Sequence, residues 1–430
     1  MSQTSTRRRV RVASMVGNAL EWYDFAIYGY FAATIGLQFF PDDNPAVSVI
    51  AAFGVFAIGF VARPIGAILF GHLGDRVGRR RVLVISILVM AVPTTLIGVL
   101  PTYADIGIWA PVILIALRLL QGLSVGGEMT GSITLMVEAA QPARRGLAGS
   151  LSYFGVGIGF LLGSAAGSLV TSLLDTSAVA DWGWRIPFLC GALVGLCGYL
   201  VRRQGLSENY QPQDTDLPWY NGPLRQAVTT HGRQMIQAIG ISAFSAGGFY
   251  LTFVYLTTYV TRVVGDPAAD AFDINTINMV AYTILVVVGG VLGDRFGVRW
   301  VLLVTTVAGL VFAWPLLWLV DHHDPVLSFL GQFGLVLFVA PYSGLFATTM
   351  ALLFAPNVRM SGFSVSYNIG LAALGGTTPL VASYLISQDV GDMAPAYVLM
   401  VCAVISIAAV LWAWRDLPAR QKPRGAAVDT

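Results

Sequence analysis

The sequence predicts an all-α membrane protein with twelve transmembrane helices in two six-helix bundles. Only 11% of its 430 residues are charged and 56% are hydrophobic, whereas a soluble domain has roughly 25% charged residues. Twelve segments are long and apolar enough to span a bilayer, which takes about 20 mostly apolar residues. In addition, one charged, glycine-rich turn occurs once in each half of the chain.

The twelve apolar segments divide into two sets of six. They lie at roughly residues 12–39, 46–70, 82–100, 109–137, 146–173, 186–201, 235–260, 274–292, 300–320, 326–354, 360–386 and 395–414. Between the sixth and seventh segments the chain is polar and contains three prolines, which is typical of a linker. We therefore expect an N-terminal bundle over residues 1–201, a cytoplasmic linker over 202–232 and a C-terminal bundle with a short tail over 233–430.

The distribution of arginine and lysine predicts the orientation. With the N-terminus inside, 21 of the 25 basic residues fall on the cytoplasmic side and two on the outer side, as the positive-inside rule requires. The basic run Arg7–Arg11 precedes an apolar stretch that contains Glu21 and Asp24, so we interpret this stretch as the first membrane helix and not as a signal peptide. The prediction is a multi-pass protein of the cell membrane with both termini in the cytoplasm.

The repeated turn indicates an internal duplication. GHLGDRVGRR at residues 71–80 returns as GVLGDRFGVR at residues 290–299. Duplicated halves are typical of secondary transporters. We expect the charges at the cytoplasmic helix ends to form a gating latch between the halves; the alternative is that these arginines only hold the loops inside. The candidate gating residues are Asp75, Arg76, Arg80, Glu138, Arg145, Asp294, Arg295 and Arg299.

Five ionisable residues fall within predicted spans, all in the N-terminal half. They are Glu21, Asp24, Arg63, Arg118 and Glu128. Each would cost about 3 kcal/mol at the centre of a lipid-facing helix, so we expect them to face a polar cavity or one another. Glu21, Asp24 and Glu128 are the candidates for carrying a coupled proton; the alternative is that a carboxylate only neutralises an arginine in a structural ion pair.

Candidate substrate-binding residues follow from helical spacing. Arg118 and Gln121 share a face of the fourth segment, and a guanidinium group binds carboxylates in bidentate fashion. The partner of Arg118 is open between Glu21, Asp24 and an anionic substrate. The complete set of candidates is Arg63, Arg118, Gln121, Tyr28, Tyr367 and Asn368.

Several motifs resemble those of the metabolite:proton symporter family of the major facilitator superfamily. They are GNALEWYDFAIYG (17–29), RPIG (63–66), RLLQG (118–122), GGE (126–128), RG (145–146), VRMSG (358–362), YNIG (367–370) and GGTTP (375–379). The resemblance implies the major facilitator fold, a central site between the bundles and proton-driven uptake. Members of the family carry di- and tricarboxylates, shikimate or zwitterionic osmolytes. The chain departs from the family at Leu352, where an acidic residue is usual.

The predicted function is proton-coupled import of a small organic anion, such as a di- or tricarboxylate or a keto acid. The alternatives are a zwitterionic osmolyte, such as betaine or proline, or a shikimate-like acid, and less favoured is a receptor that does not transport. No catalytic residue, metal site or cofactor beyond the proton is expected, because the four histidines lie in loops or at span ends without metal-ligand spacing. The expected partners are the substrate, the proton and lipid, without nucleic acid, and the expected state is a monomer.

Overall fold

The described part of the chain is built from helices and turns in this computed structural model, and it contains no strand. It comprises residues 3–69, 79–124, 128–205, 223–356 and 358–417. Twelve long helices, numbered in chain order, lie within it. They are α1 (Gln3–Tyr30), α2 (Pro45–Leu69), α3 (Arg79–Val99), α4 (Trp109–Ser124 and Glu128–Ala139), α5 (Arg145–Leu173), α6 (Arg185–Gly205), α7 (Gly232–Val264), α8 (Ala268–Phe296), α9 (Val298–Val320), α10 (Pro325–Leu353), α11 (Arg359–Ser387) and α12 (Ala394–Trp412).

These helices follow the order of the predicted segments but differ at several ends. The helix α1 begins at Gln3, earlier than the predicted residue 12, and a turn at Phe31 separates it from a short helix, Ala32–Phe39. The helix α8 begins at Ala268, six residues before the predicted 274, because a polar first turn that includes Asp270 precedes its apolar part. Most of the predicted linker, residues 206–222, lies outside the described residues.

Length and apolarity alone identify nine of the described helices as membrane spans, or ten with the bent pair that ends in α6. Helix α1 fails this test because Asn18, Glu21 and Asp24 lower its apolarity. All three side chains are nevertheless buried, so lipid does not meet them.

Helix starts follow from local capping chemistry. Asn44 accepts a hydrogen bond from the Ala46 N–H at the start of α2, and Asp324 accepts one from the Val326 N–H at the start of α10. Proline follows each cap, at Pro45 and Pro325, where its missing N–H costs no helical hydrogen bond. These caps fix where both helices begin.

The helices pack as two groups that meet along two seams. Helices α1–α6 contact one another, with α1 against α5 and α3 against α6; α7–α12 do the same, with α7 against α12 and α9 against α10. The groups meet chiefly where α5 packs on α8 and α10 and where α2 packs on α11. The division at residues 1–201 and 233–430 stays a prediction, since the connecting residues are largely outside the described part.

Small residues allow close backbone approach at the helix contacts. A Cβ atom added to Gly122 of α4 would lie 2.1 Å from the carbonyl oxygen of Gly59 in α2. At the seam between α5 and α8, a Cβ atom on Gly290 would lie 2.6 Å from the carbonyl oxygen of Gly146. Both positions need glycine, as close helix contacts in membranes commonly do.

Candidate transport site

A cavity lies between the two groups of helices. Seven aromatic side chains dominate its wall, and the remaining residues that line it are small or aliphatic. The aromatic residues are Trp22, Tyr153, Phe249, Tyr250, Tyr282, Phe346 and Tyr367. Both halves of the chain contribute, and no charged side chain of the described part lines the cavity.

Several polar atoms at this wall have no hydrogen-bond partner among the described residues. They are the indole N–H of Trp22 and the hydroxyl groups of Tyr250 and Tyr282. By contrast, the hydroxyl group of Tyr367 donates to the sulfur of Met129 over 3.2 Å. Because an unpaired buried donor costs about 1–3 kcal/mol, these three groups favour a ligand or water that can accept their hydrogen bonds.

Arg63 and Glu21 form a buried ion pair behind the aromatic wall. Arg63 Nη2 lies 3.1 Å from Glu21 Oε1, and their side chains are 1% and 6% exposed. The guanidinium carbon is 4.8 Å from the centre of the Trp22 ring and 5.2 Å from that of Phe25. Arg63 Nε and Nη1 have no hydrogen-bond partner among the described residues. The pair therefore brings almost no net charge to the bundle interior.

Arg118 is also fully buried. Its Nη1 donates to Gln121 Oε1 over 2.9 Å, and its guanidinium carbon lies 4.1 Å from the centre of the Tyr28 ring. Asp24, only 3% exposed, is the carboxylate that interacts with Arg118 electrostatically. Asp24 Oδ1 has no hydrogen-bond partner among the described residues. Asp24 thus balances the charge of Arg118, whereas Gln121 accepts its hydrogen bond.

Aromatic rings connect the buried charges to the cavity. The Tyr250 ring centre lies 5.7 Å from that of Phe56 and 5.3 Å from that of Phe60. Tyr250 also interacts electrostatically with Arg63 and Arg118. The charged groups are therefore within electrostatic reach of a ligand in the cavity without touching it.

The other predicted substrate and proton residues are distributed as follows. Tyr367 lines the cavity, whereas Asn368 donates to the Ser364 carbonyl of its own helix over 2.9 Å. Tyr28 donates to the Ala52 carbonyl over 3.2 Å. The side chain of Glu128 lies outside the described part of the structure.

At the end predicted to face the cytoplasm, Asp294 binds the start of helix α5. Its two carboxylate oxygens accept the N–H groups of Gly146 and Leu147 over 2.7 and 2.9 Å. An N-terminal helix turn presents unpaired N–H groups and a partial positive charge. Asp294 therefore joins α8 to α5 through hydrogen bonds to backbone groups, with Arg144 as an additional electrostatic partner.

The other predicted gating residues have varied surroundings. Glu138 pairs with Arg359 of α11 at 2.6 Å, and the Arg145 carbonyl accepts a hydrogen bond from Thr348. Arg299 donates to the Trp414 carbonyl over 3.1 Å. Arg295 lies over the ring of Phe296. Asp75, Arg76 and the Arg80 side chain lie outside the described residues.

A polar network joins α5, α8 and α10 on the side of the cavity away from Asp294. Asn275 of α8 donates to Ser164 of α5 over 2.9 Å, and Ser164 also bonds Thr276. Gln332 of α10 donates to Asn275 over 2.9 Å and to the Thr252 carbonyl over 2.7 Å. Both ends of the cavity are thus bridged by contacts between the halves.

Sequence reasoning missed four cavity residues, Trp22, Tyr153, Phe249 and Phe346, and missed Arg359 as an ionic partner. Trp22 carried a signal, since tryptophan favours the membrane interfaces and this one lies inside a span beside Glu21. The sequence also carried a signal that Arg359 needs an ionic partner from elsewhere. Arg359 follows the position where Leu352 replaces the acidic residue that is usual in the family. The partner of Arg359 is instead Glu138 from the other half.

Two family models match the chain, one in each half. The Sugar (and other) transporter model matches residues 10–202, and the Major Facilitator Superfamily model matches residues 238–429.

Curated relatives match nearly the whole chain. The glycine betaine/proline/ectoine/pipecolic acid transporter OusA of Dickeya dadantii is 34% identical, over 93% of this chain and 82% of that protein. The proline/betaine transporter of Escherichia coli K12 is 33% identical, over 93% and 82%. The citrate-proton symporter of Klebsiella pneumoniae is 33% identical, over 94% and 91%.

Solved structures share the fold. A D-xylose-proton symporter has a TM-score of 0.74 at 16% identity, covering 96% of this chain and 98% of its own. The proton:xylose symporter XylE bound to 6-bromo-6-deoxy-D-glucose has a TM-score of 0.73 at 14% identity, covering 97% of both. This likeness confirms the predicted all-α fold with twelve transmembrane helices in two bundles.

Proposed function

Since this chain belongs to the proton-coupled symporters of the major facilitator superfamily, we propose that its cargo is a small zwitterion of the betaine or proline type. Relatives at 33–34% identity include carriers named for betaine and proline and one named for citrate. The names alone do not decide between a zwitterion and an anion. The chemistry of the cavity favours the zwitterion.

The aromatic wall of the cavity carries this proposal. Seven aromatic side chains line a cavity to which no charged side chain of the described part contributes. Aromatic faces attract a desolvated alkylammonium group by about 2 kcal/mol or more. The unpaired donors of Trp22, Tyr250 and Tyr282 suit a single carboxylate. Such a wall offers both ends of a zwitterion a partner.

The charge balance of the site points the same way. Arg63 and Glu21 cancel as an ion pair, and Arg118 has Asp24 as its counter-charge. A di- or tricarboxylate would bring two or three negative charges into a wall without a matching cation. A zwitterion brings no net charge.

Asp24 is proposed as the proton site. Its Oδ1 is buried without a hydrogen-bond partner in the described structure, whereas Glu21 is held by Arg63. A zwitterion that enters with one proton carries one net positive charge. The membrane potential supplies about 2.3 kcal/mol per charge and 100 mV, enough for more than tenfold accumulation at 1.4 kcal/mol per decade.

Alternating access would open one end of the cavity at a time. In this proposal, the contacts of Asp294 with α5 and of Glu138 with Arg359 close the cytoplasmic end, and the Ser164–Asn275 bond closes the outer end. We also propose that the protein lies in the cell membrane with both termini in the cytoplasm and acts as a monomer. Its two bundles are proposed to comprise residues 1–201 and 233–430.

An organic anion is the second candidate. The observation that favours it is the set of unpaired guanidinium N–H groups, namely Nε and Nη1 of Arg63 and Nε and Nη2 of Arg118. For an anion to reach them, the aromatic layer around Tyr250 would have to move. That rearrangement is the physical cost that places this candidate second.

Uptake into proteoliposomes tests the proposal. Radiolabelled glycine betaine should accumulate when an inward proton gradient is imposed, and a protonophore should abolish the accumulation. Unlabelled proline should compete, while citrate at the same concentration should not. Accumulation of labelled citrate without any uptake of betaine would overturn the zwitterion proposal in favour of the second candidate.

A further inference from the structure

A directed chain of hydrogen bonds leads away from Arg118 to helix α3. Arg118 Nη1 donates to Gln121 Oε1 over 2.9 Å, and Gln121 Nε2 donates to Thr94 Oγ1 over 2.7 Å. Thr94 in turn donates its hydroxyl proton to the Met90 carbonyl over 2.9 Å. The side chains of Arg118, Gln121 and Thr94 are all fully buried, so water does not compete for these bonds.

Thr94 is also a neighbour of Asp24. Its hydroxyl group is close enough to interact with the Asp24 carboxyl group. Both face the same glycine of α6: a Cβ atom on Gly191 would lie 2.6 Å from Thr94 Cγ2 and 3.6 Å from Asp24 Oδ1. The glycine leaves room for the two polar side chains to approach each other.

The hydroxyl group of Thr94 has one proton and two competing acceptors. When Thr94 donates its hydroxyl proton to the Met90 carbonyl, as in the structure, Asp24 Oδ1 has no hydrogen-bond partner among the described residues. An ionised carboxylate is the stronger acceptor, because hydrogen bonds to charged groups are roughly twice as strong as neutral ones. A protonated Asp24 could instead donate to Thr94 Oγ1, in competition with the Gln121 amide.

We propose that Thr94 is a positioning residue that links the protonation state of Asp24 to the orientation of Arg118 through Gln121. When Asp24 loses its proton, Thr94 turns its hydroxyl group toward the carboxylate. When Asp24 gains a proton, the acid competes with Gln121 for the Thr94 oxygen, and Gln121 shifts its hold on Arg118. Arg118 then changes the field at Tyr250 and in the cavity.

Other charged and titratable groups surround Asp24. Arg118 from α4 and Tyr23 on α1 interact electrostatically with it, and the Cys190 thiol on α6 interacts with Tyr23; the pair of Glu21 on α1 and Arg63 on α2 lies in the same group of helices. Arg118 supplies the attraction that favours the carboxylate whether or not Thr94 is present. Thr94 therefore adds to the stabilisation of the carboxylate by Arg118. Removing only the Thr94 hydroxyl group measures this added contribution.

The test is Thr94→Val, which keeps the shape and removes the hydroxyl group. Thr95→Val is the matched control, because Thr95 makes the same bond to its own helix, to the Ala91 carbonyl over 2.9 Å. Thr94→Ser restores the hydroxyl group. Proton-driven uptake of labelled glycine betaine, or of labelled citrate if uptake identifies citrate instead, is measured from pH 5 to pH 9.

Loss of the hydroxyl group should disfavour the carboxylate form of Asp24. The midpoint of the alkaline limb of the pH profile should therefore move to higher pH by about one unit, which corresponds to about 1.4 kcal/mol. Thr95→Val should leave the midpoint within about 0.2 units of the wild type, and Thr94→Ser should restore it. If Thr94→Val does not fold, Thr94→Ala replaces it.

The inference rests on Asp24 as the proposed proton site, and the outcomes separate the two. If Asp24→Asn retains proton-driven accumulation, the proposed proton site is wrong. If Asp24→Asn loses accumulation while the profile of Thr94→Val superimposes on the wild type, or Thr95→Val shifts it equally, the positioning role of Thr94 is wrong and the proton site stands.

Discussion

Removing the negative partner of the buried ion pair should destabilise the protein strongly. Glu21→Gln would leave the Arg63 guanidinium without its counter-charge, although that side chain is only 1% exposed and two of its nitrogens already have no partner among the described residues. Breaking a buried pair from one side costs about 3–5 kcal/mol, because the remaining charge stays buried. A typical protein has only about 5–15 kcal/mol of stability in total.

The structure offers a matched control at the surface. Arg233 and Asp416 form a pair of similar length, 3.2 Å, but their side chains are 56% and 32% exposed. Because an exposed pair contributes about 0–1 kcal/mol, Asp416→Asn should change the free energy of unfolding by less than about 1 kcal/mol. The contrast between the two substitutions tests burial, since the charge removed is the same.

Equilibrium unfolding in mixed micelles, titrated with sodium dodecyl sulfate, measures both variants. The double variant Glu21→Gln/Arg63→Met should recover most of the loss, because it removes the buried charge and fills the space with an apolar side chain. The reasoning fails if Glu21→Gln unfolds within about 1 kcal/mol of the wild type, or if the double variant is as unstable as the single one.

Four further outcomes are expected. Asp24→Asn should lose proton-driven accumulation but keep exchange of labelled for unlabelled glycine betaine, since exchange needs no net proton release; loss of both would contradict the assignment. Tyr282→Phe should raise the KM for glycine betaine about tenfold or more, because a hydrogen bond to a charged group is worth about 1.5–3 kcal/mol, while citrate inhibition stays absent. Asp294→Ala should raise the modification rate of a cysteine placed in the cavity by a reagent added from the cytoplasmic side; an unchanged rate would remove Asp294 from the gate. Thr102 donates to Asp105 through its N–H and O–H, and these bonds lower the pKa of the Asp105 carboxyl group. The bonds therefore stabilise the fold above the unfolded pKa of about 3.9, and this stabilisation is lost as the pH falls through the folded pKa. The thermal stabilities of the wild type and Asp105→Ala should therefore converge in acid.

The number and order of helices could be predicted because lipid imposes a simple rule on the chain. Every spanning segment needs about 20 apolar residues, and this length is visible in the sequence. Helix ends were less predictable, since α8 extends into a polar turn at Ala268 and α1 extends to Gln3. Both extensions run through polar residues, which a measure of apolarity does not assign to a membrane span.

The buried charges could be predicted, but their partners could not. Glu21, Asp24, Arg63 and Arg118 were identified because charge in a span is costly, and all four are buried. Their pairing depends on how α1, α2 and α4 are rotated about their axes. The sequence left Arg118 open to Glu21, Asp24 or substrate, and only three-dimensional packing assigned Glu21 to Arg63.

The helical face of α1 explains why the site differs from the one expected. Glu21, Asp24 and Tyr28 share a stripe that points into the first group of helices, toward Arg63 and Arg118. Trp22 lies about 100° around the helix and lines the cavity. Spacing reveals a polar stripe but not whether it faces the bundle interior or the cargo. Here the stripe lies behind the wall, so the proposed proton site and the proposed cargo site are adjacent but separate.

This separation constrains how coupling can work. The cargo does not need to displace a counter-ion, because the charged groups already have partners or lie behind Tyr250 and Trp22. Trp22 contacts Arg63 on one side and the cavity on the other, so a cationic group on the cavity side of this ring would repel Arg63 across it. Repulsion of a second cation is relieved when Glu21 and Asp24 are ionised and increased when Asp24 is protonated. In a symporter the proton and the cargo favour each other's binding, so the proposed mechanism places the cationic end of the cargo away from the Trp22 ring.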